Sequence, residues 1–120
     1  MTPVCGPVAL DVALSSVHGR GVFARADFEA GSLLGEWPIL RIDGDDVVWG
    51  SGSLVERYVF EMPDGAGAMV LGVPSLFNHS STPNCRVALD PERLSLSVFS
   101  VAPIAAGEEI LIDYGSDYWA

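Results

Sequence analysis

Glycine and proline recur so often in this chain that no element can run far. Thirteen glycines and eight prolines stand among 120 residues. Glycine enters turns freely and weakens regular structure, whereas proline fixes φ and withholds an N–H. What lies between them is short, apolar and rich in β-branched side chains. Val8 to Leu14 and Gly21 to Ala24 read as strands joined by a turn, HGRG, at 18–21. Ser32 to Glu36 and Ile39 to Ile42 read as two more, split by Trp37-Pro38. DGDD at 43–46 predicts a tight acidic turn before Val47 to Trp49.

Ser53 to Phe60 is the best helix candidate. Ser53 stands as N-cap with Glu56 three residues on, the pattern of a capping box. Asp64 to Gly67 then turns the chain into Ala68 to Leu71. Arg86 to Leu89 and Leu94 to Val101 flank a turn at 90–93, and Leu94, Leu96 and Val98 alternate with Ser95, Ser97 and Phe99. Pro103 to Gly107 turns into a last strand, Glu109 to Tyr114. One pattern occurs twice: ADFEAGSLL at 26–34 and APIAAGEEI at 102–110 both run Ala, any, apolar, any, Ala-Gly, then a strand. Two copies of nine residues do not make a repeat protein; they predict one kind of corner used twice, each glycine at positive φ.

With no linker or low-complexity tract, 120 residues make one domain, long enough to bury about two-thirds of its unfolded surface. Hydrophobic residues form 49 % and mean hydropathy is +0.34, enough for a core. No apolar run approaches the roughly 20 residues of a membrane span. The first ten residues lack the basic leader and apolar stretch of a secretion signal. A soluble, intracellular protein of cytoplasm, nucleoid or nucleus, without a membrane partner, is expected.

Charge narrows the partners. Six basic residues, all arginine, face sixteen acidic ones, for a net −10 and a pI near 4.2. Such a domain repels a phosphate backbone, which argues against direct nucleic-acid binding and favours basic peptides or protein tails. Acidity serving only solubility is the plain alternative. Cys5, Cys85, His18 and His79 show no CxxC or HxxxH spacing, so no metal site is expected, and both thiols should be reduced.

The chemically dense stretch is LFNHSSTPNC at 76–85. Ser, Thr, Pro and Asn form turns, and Asn78 or Asn84 can cap its own backbone, so a polar turn accounts for the stretch by itself. A functional reading needs a convergent partner. The C-terminal EEILIDYGSDYW offers one, two tyrosines four apart and a tryptophan after an apolar strand.

GRGVFA near the start, FNHS and PNC in the middle and GEEILIDYG near the end, in that order, resemble the SET-domain protein-lysine methyltransferases. The likeness runs from about Gly19 to Trp119, and the ending GSDYW is similar to that of the very small viral SET histone methyltransferases. The resemblance implies a β-clip-like fold of several short sheets in which the strand ending at Tyr114 threads beneath the loop of Asn78 and His79 as a C-terminal pseudoknot. Asn78, His79 and Ser80 then lie inside the fold.

The cofactor it implies is S-adenosyl-L-methionine. Gly19, Arg20 and Gly21 match the loop approaching its methionine end, Asn78 and His79 match residues contacting its amino-acid and adenine parts, and Trp119 matches the aromatic over the adenine. Tyr114 matches the central catalytic residue, with Tyr58 and Tyr118 as aromatic walls of a lysine channel. Val87 and Ile112 match the channel positions where a tyrosine hydroxyl restrains further methylation; neither carries one, which predicts more than one methyl per lysine.

The chain departs from many relatives in showing neither a pre-SET region nor a cysteine cluster after Tyr114, so no zinc-binding post-SET tail is expected; GSDYWA or a second subunit must complete the channel. Substrate recognition then falls to Asp43 to Val48 and Met62 to Met69. A histone-like tail is one expected substrate and a homodimer the expected assembly. The competing reading is an inactive SET-fold module that binds basic peptides.

Overall fold

The computed structural model describes residues 9–17 and 19–114. Nine short strands and two single-turn helices follow in order: β1 Leu10–Leu14, β2 Arg20–Ala24, β3 Leu33–Ile42, α1 Gly44–Val47, α2 Leu54–Arg57, β4 Val59–Glu61, β5 Gly67–Val70, β6 Asn78–His79, β7 Cys85–Asp90, β8 Ser95–Ser100 and β9 Leu111–Ile112. A 3-10 turn, Val73–Leu76, precedes β6. The fold is mostly β, as expected. The strands form an antiparallel pair β1-β2, a five-stranded sheet β4-β5-β3-β8-β7, and a parallel pair β6-β9.

β3 corrects the sequence reading. Trp37-Pro38 does not split it; one ten-residue strand runs through both. Residues 33 to 38 pair with β8, and from Ile39 on the partner is β5. The Pro38 carbonyl accepts the Leu71 N–H at 3.0 Å. A strand residue points its N–H and C=O to the same side, so the missing N–H falls just past the last β5 residue. No ladder bond is lost where the strand changes partner.

The helical expectations also shift. The acidic turn at 43–46 is a helical one: Asp43 O accepts N–H bonds from Asp46 (2.9 Å) and Val47 (3.1 Å). Ser53 does cap α2, its Oγ accepting the Glu56 N–H at 3.3 Å, but the helix stops at Arg57. The capping box does not close. The Glu56 carboxylate accepts instead from Gly50 N (2.9 Å) and Gly52 N (2.8 Å), and these backbone donors hold it below the usual carboxylate range.

The twice-used corner is real, and its two copies face each other. Gly31 and Gly107 adopt φ of 82° and 93°. Phe28 and Ile104 exchange both backbone bonds, at 2.8 and 2.9 Å, and Asp27 Oδ1 accepts the Ala106 N–H at 2.9 Å. The core lies behind the large sheet. Trp37, 3 % exposed, belongs to one buried cluster with Val22, Leu96, Val98 and Ile110, and Gly35 and Gly72 both leave room for its ring.

Cys85 is buried at the start of β7, and burial pushes its thiol up to about 12 from 9.0. Native Cys85 should therefore resist iodoacetamide at pH 8 and react once urea exposes it, as mass spectrometry of its peptide would show. The linkage has one sign. Between about 9 and 12 only the unfolded thiol ionises, so this contribution to stability is whole below that window and lost through it.

Candidate active site

The polar stretch singled out above is a scaffold. β6 and β9 pair in parallel, Asn78 opposite Leu111 and His79 opposite Ile112, and Ser80 N donates to Ile112 O at 2.9 Å. Asn84 does not cap its own backbone. Its side chain spans β9, donating to Glu109 O at 2.8 Å and accepting from Leu111 N at 2.9 Å. Two asparagines and a histidine therefore supply much of what holds a two-residue strand in place.

His79 Nδ1 accepts the Tyr114 N–H at 2.9 Å, and the two rings stand 5.2 Å apart at 49°. A ring accepting at Nδ1 carries its proton on Nε2. The Tyr114 hydroxyl donates to Phe77 O. Burial, then the nearby Tyr58 and Glu109, push that hydroxyl above the ordinary tyrosine value, so it is a donor throughout the neutral range.

Asn78, 6 % exposed, donates through Nδ2 to Glu109 Oε2 at 2.8 Å and to Arg20 O at 3.2 Å. Glu109 also accepts the Ser15 hydroxyl, at 2.8 and 2.9 Å to its two oxygens. The carboxylate thus ties the turn after β1 to β6, and Asn78 carries the link on to the β2 backbone. Gly21 exists for it: a Cβ there would stand 2.2 Å from Glu109 Oε2 and 3.0 Å from Asn78 Nδ2. Gly21→Ala should evict the carboxylate and destabilise the domain by about 1–3 kcal/mol through the polar groups it strands. An unchanged melting temperature would mean that Glu109 swings aside freely.

Two cavities adjoin at this point. The first, about 200 Å³, is lined by Glu56, Tyr58, Phe60, Ile112 and Tyr114 among others; the second, about 500 Å³, by Gly19, Arg20, Asn78 and again Tyr58 and Tyr114. Arg57, Ser75 and Phe77 line both. Tyr58 stands between α2 and β4, and both tyrosines are about half exposed. His79 lines neither cavity and acts on them through Tyr114. Val87, 4 % exposed, faces the sheet core opposite Val98 and also lines neither. Tyr118 and Trp119 lie outside the described residues.

Sequence reading missed Glu109 as a hub, although GEE ahead of an apolar strand marked it, and missed Arg57 and Ser75 as cavity walls. Among the described residues, no three His, Cys, Asp or Glu side chains cluster as metal ligands, and no helix is long and apolar enough to cross a membrane.

A short-sheet β fold whose final strand docks beside Asn78 and His79 is the architecture of a SET domain. The SET domain family model matches residues 19–115, and the chain belongs to that family. It is 27 % identical over 111 residues to the Schizosaccharomyces pombe histone-lysine N-methyltransferase specific for H3 lysine-37, covering 92 % of this chain and 76 % of that protein. It is 31 % identical over 117 residues to human histone-lysine N-methyltransferase 2B, covering 88 % of this chain but 4 % of that protein. Among solved structures, a Plasmodium falciparum chain described as a candidate histone methyltransferase superposes with a TM-score of 0.77 at 24 % identity, over 95 % of this chain and 99 % of that one. A polycomb repressive complex 2 chain gives 0.75 at 22 % identity, over 91 % and 15 %. At these identities the superpositions speak to the fold.

Proposed function

We propose that this domain transfers methyl groups from S-adenosyl-L-methionine to lysine side chains of a basic protein or histone-like tail. One observation carries the reading: two cavities meet at Tyr58 and Tyr114, one walled largely by aromatic and apolar side chains, the other by Gly19, Arg20 and Asn78. A sulfonium donor and a lysine approaching from opposite sides need such a junction. A volume of about 500 Å³ suits a nucleoside-sized ligand, and the Gly21 cradle lets the β2 backbone lie close to Asn78.

The cofactor would supply an electrophilic methyl; Gly19, Arg20, Gly21 and Asn78 would hold it, with His79 acting through Tyr114 and Trp119 as the matching adenine cover. The chain's own work is alignment. Tyr58 and Tyr114 present ring faces and hydroxyls to the incoming amine, and ring faces favour its cationic form at the mouth. Deeper in, an apolar wall penalises the ammonium and releases the proton of a lysine whose ordinary pKa is about 10.4. Glu56, kept ionised by Gly50 and Gly52, draws a cation toward the first cavity and is a poor proton acceptor.

Transfer of labelled methyl to core histones and other basic proteins, against an acidic control, tests this. Labelling confined to lysine and falling as salt rises is expected, because the net charge of −10 attracts a basic partner. Failure to bind either S-adenosylmethionine or its demethylated product would leave the inactive binding module. Ile112 lines the first cavity without a hydroxyl, which supports products beyond monomethyl-lysine; monomethyl product alone at exhaustive turnover would rule them out. A histone-like substrate would place the protein inside the cell. Exposed Val12, Leu14 and Val17 favour a homodimer, which a monomer in sedimentation would exclude.

A further inference from the structure

The His79 ring lines neither cavity, and what it holds is a backbone group. The β6–β9 ladder ends at Ile112. Two residues further on, the imidazole fastens the chain again, its Nδ1 accepting the Tyr114 N–H at 2.9 Å across 35 positions of sequence. Two titratable groups face the ring. Asp113 Oδ1 lies 3.7 Å from the same Nδ1, and the Tyr114 ring centre lies 5.2 Å from that of the imidazole. The His79 side chain is 46 % exposed, so a proton reaches it with no opening of the fold.

We infer that His79 is a positioning residue whose imidazole acts as a proton-sensitive clasp on Tyr114, closed when neutral and released when protonated. A neutral imidazole offers one acceptor. An imidazolium offers none, because both ring nitrogens then carry hydrogen, and turning the ring over restores no lone pair. The Tyr114 N–H and the new Nδ1–H would point at each other. The Nδ1–H has another destination in the Asp113 carboxylate, and the ring leans toward it while the Tyr114 N–H is left to water. Imidazole changes charge between about pH 5 and 8, so the clasp works in the range where an enzyme operates. What it releases is the residue at the junction of the two cavities. The hydroxyl bond to Phe77 O tethers only the end of that side chain, and a misplacement of about 1 Å at such a point costs on the order of 10²-fold in rate. The consequence for turnover rests on the methyltransferase reading; the clasp itself does not.

Solution NMR of the free protein reads the clasp without turnover. As the pH falls from about 8 to 5, the Tyr114 amide should shift with the midpoint of the His79 ring protons, and its scalar coupling across the hydrogen bond to Nδ1 should vanish. A coupling that persists once the ring has titrated, or a ring still neutral at the acid end, overturns the clasp. That titration stands whether or not variants fold. Turnover supplies the second reading. His79→Leu removes the acceptor and should lower methyl transfer by about tenfold or more at the alkaline end. His79→Asn, whose Oδ1 can take the place of Nδ1 without titrating, should recover the greater part of that loss. The ratio of wild-type to asparagine turnover should then fall on acidification, since deprotonation of the substrate lysine weighs on both alike. Parallel pH profiles, or a folded asparagine variant no better than leucine, overturn the positioning role. A clasp that opens in a wild type that methylates nothing at any pH keeps the inference and removes the methyltransferase.

Discussion

Tyr114→Phe is expected to lower methyl transfer by about 10²- to 10³-fold while shifting stability by no more than about 1 kcal/mol. The asymmetry follows from what the substitution leaves intact. The Tyr114 backbone N–H still donates to His79 Nδ1, and the ring still stands against the imidazole. Only the hydroxyl goes, and with it the bond to Phe77 O. That hydroxyl lies at the junction of the two cavities, where an amine must be steered onto a methyl carbon, and steering is where most of the rate resides. Because burial holds it above the ordinary tyrosine value, it acts as a donor and not as a phenolate base. The pH–rate profile of wild type should therefore show no rise from Tyr114 ionisation below pH 10. Turnover and thermal melting of the pair decide the matter: full activity in the phenylalanine enzyme would remove Tyr114 from catalysis.

Gly72→Ala should be the most damaging single-methyl change to the fold, destabilising it by about 3 kcal/mol or more. The added carbon would stand 2.2 Å from Trp37 Cδ1 and 2.7 Å from Nε1. The far end of the same indole lies against Gly35, where a Cβ would stand 2.6 Å from Cη2, so the ring occupies the space that both glycines leave. Gly72 has extended backbone with φ of 161°, which alanine accepts, so the whole penalty is overlap. Urea titration of Gly72→Ala, Trp37→Leu and the double variant isolates this cause. The double variant should be far more stable than the sum of the singles implies; strict additivity would mean that the two positions do not collide.

How much could be read in the sequence depended on the range of the interaction. Corners were legible because glycine at 31 and 107 reports a backbone angle, a local property. β8 was legible because alternation reports one buried face. Pro38 misled because local rules treat proline as a break, whereas its carbonyl and absent N–H are settled by which strand lies alongside. Glu56 misled similarly, its capping place taken by an offer from Gly50 and Gly52. Glu109 was hidden altogether, since its hydroxyl and amide partners lie 94 and 31 positions away. The candidate residues Asn78, His79 and Tyr114 came from family resemblance, and spacing alone could not have assembled them; why Arg57 and Tyr58 share a wall with Arg20 and Tyr114 is equally a matter of chain crossing.

The β6–β9 pair has a bearing on the order of assembly. Long ladders fix the large sheet, the distant β3–β8 pairing included, whereas the cleft waits for a two-residue strand to arrive from more than thirty positions downstream. Closure across such a distance is slow, and a pairing so short is the first to fray. The pocket thus rests on the shortest ladder among the described strands. Any ligand seated there would act as a latch on that pairing, raising apparent stability in proportion to the logarithm of its concentration.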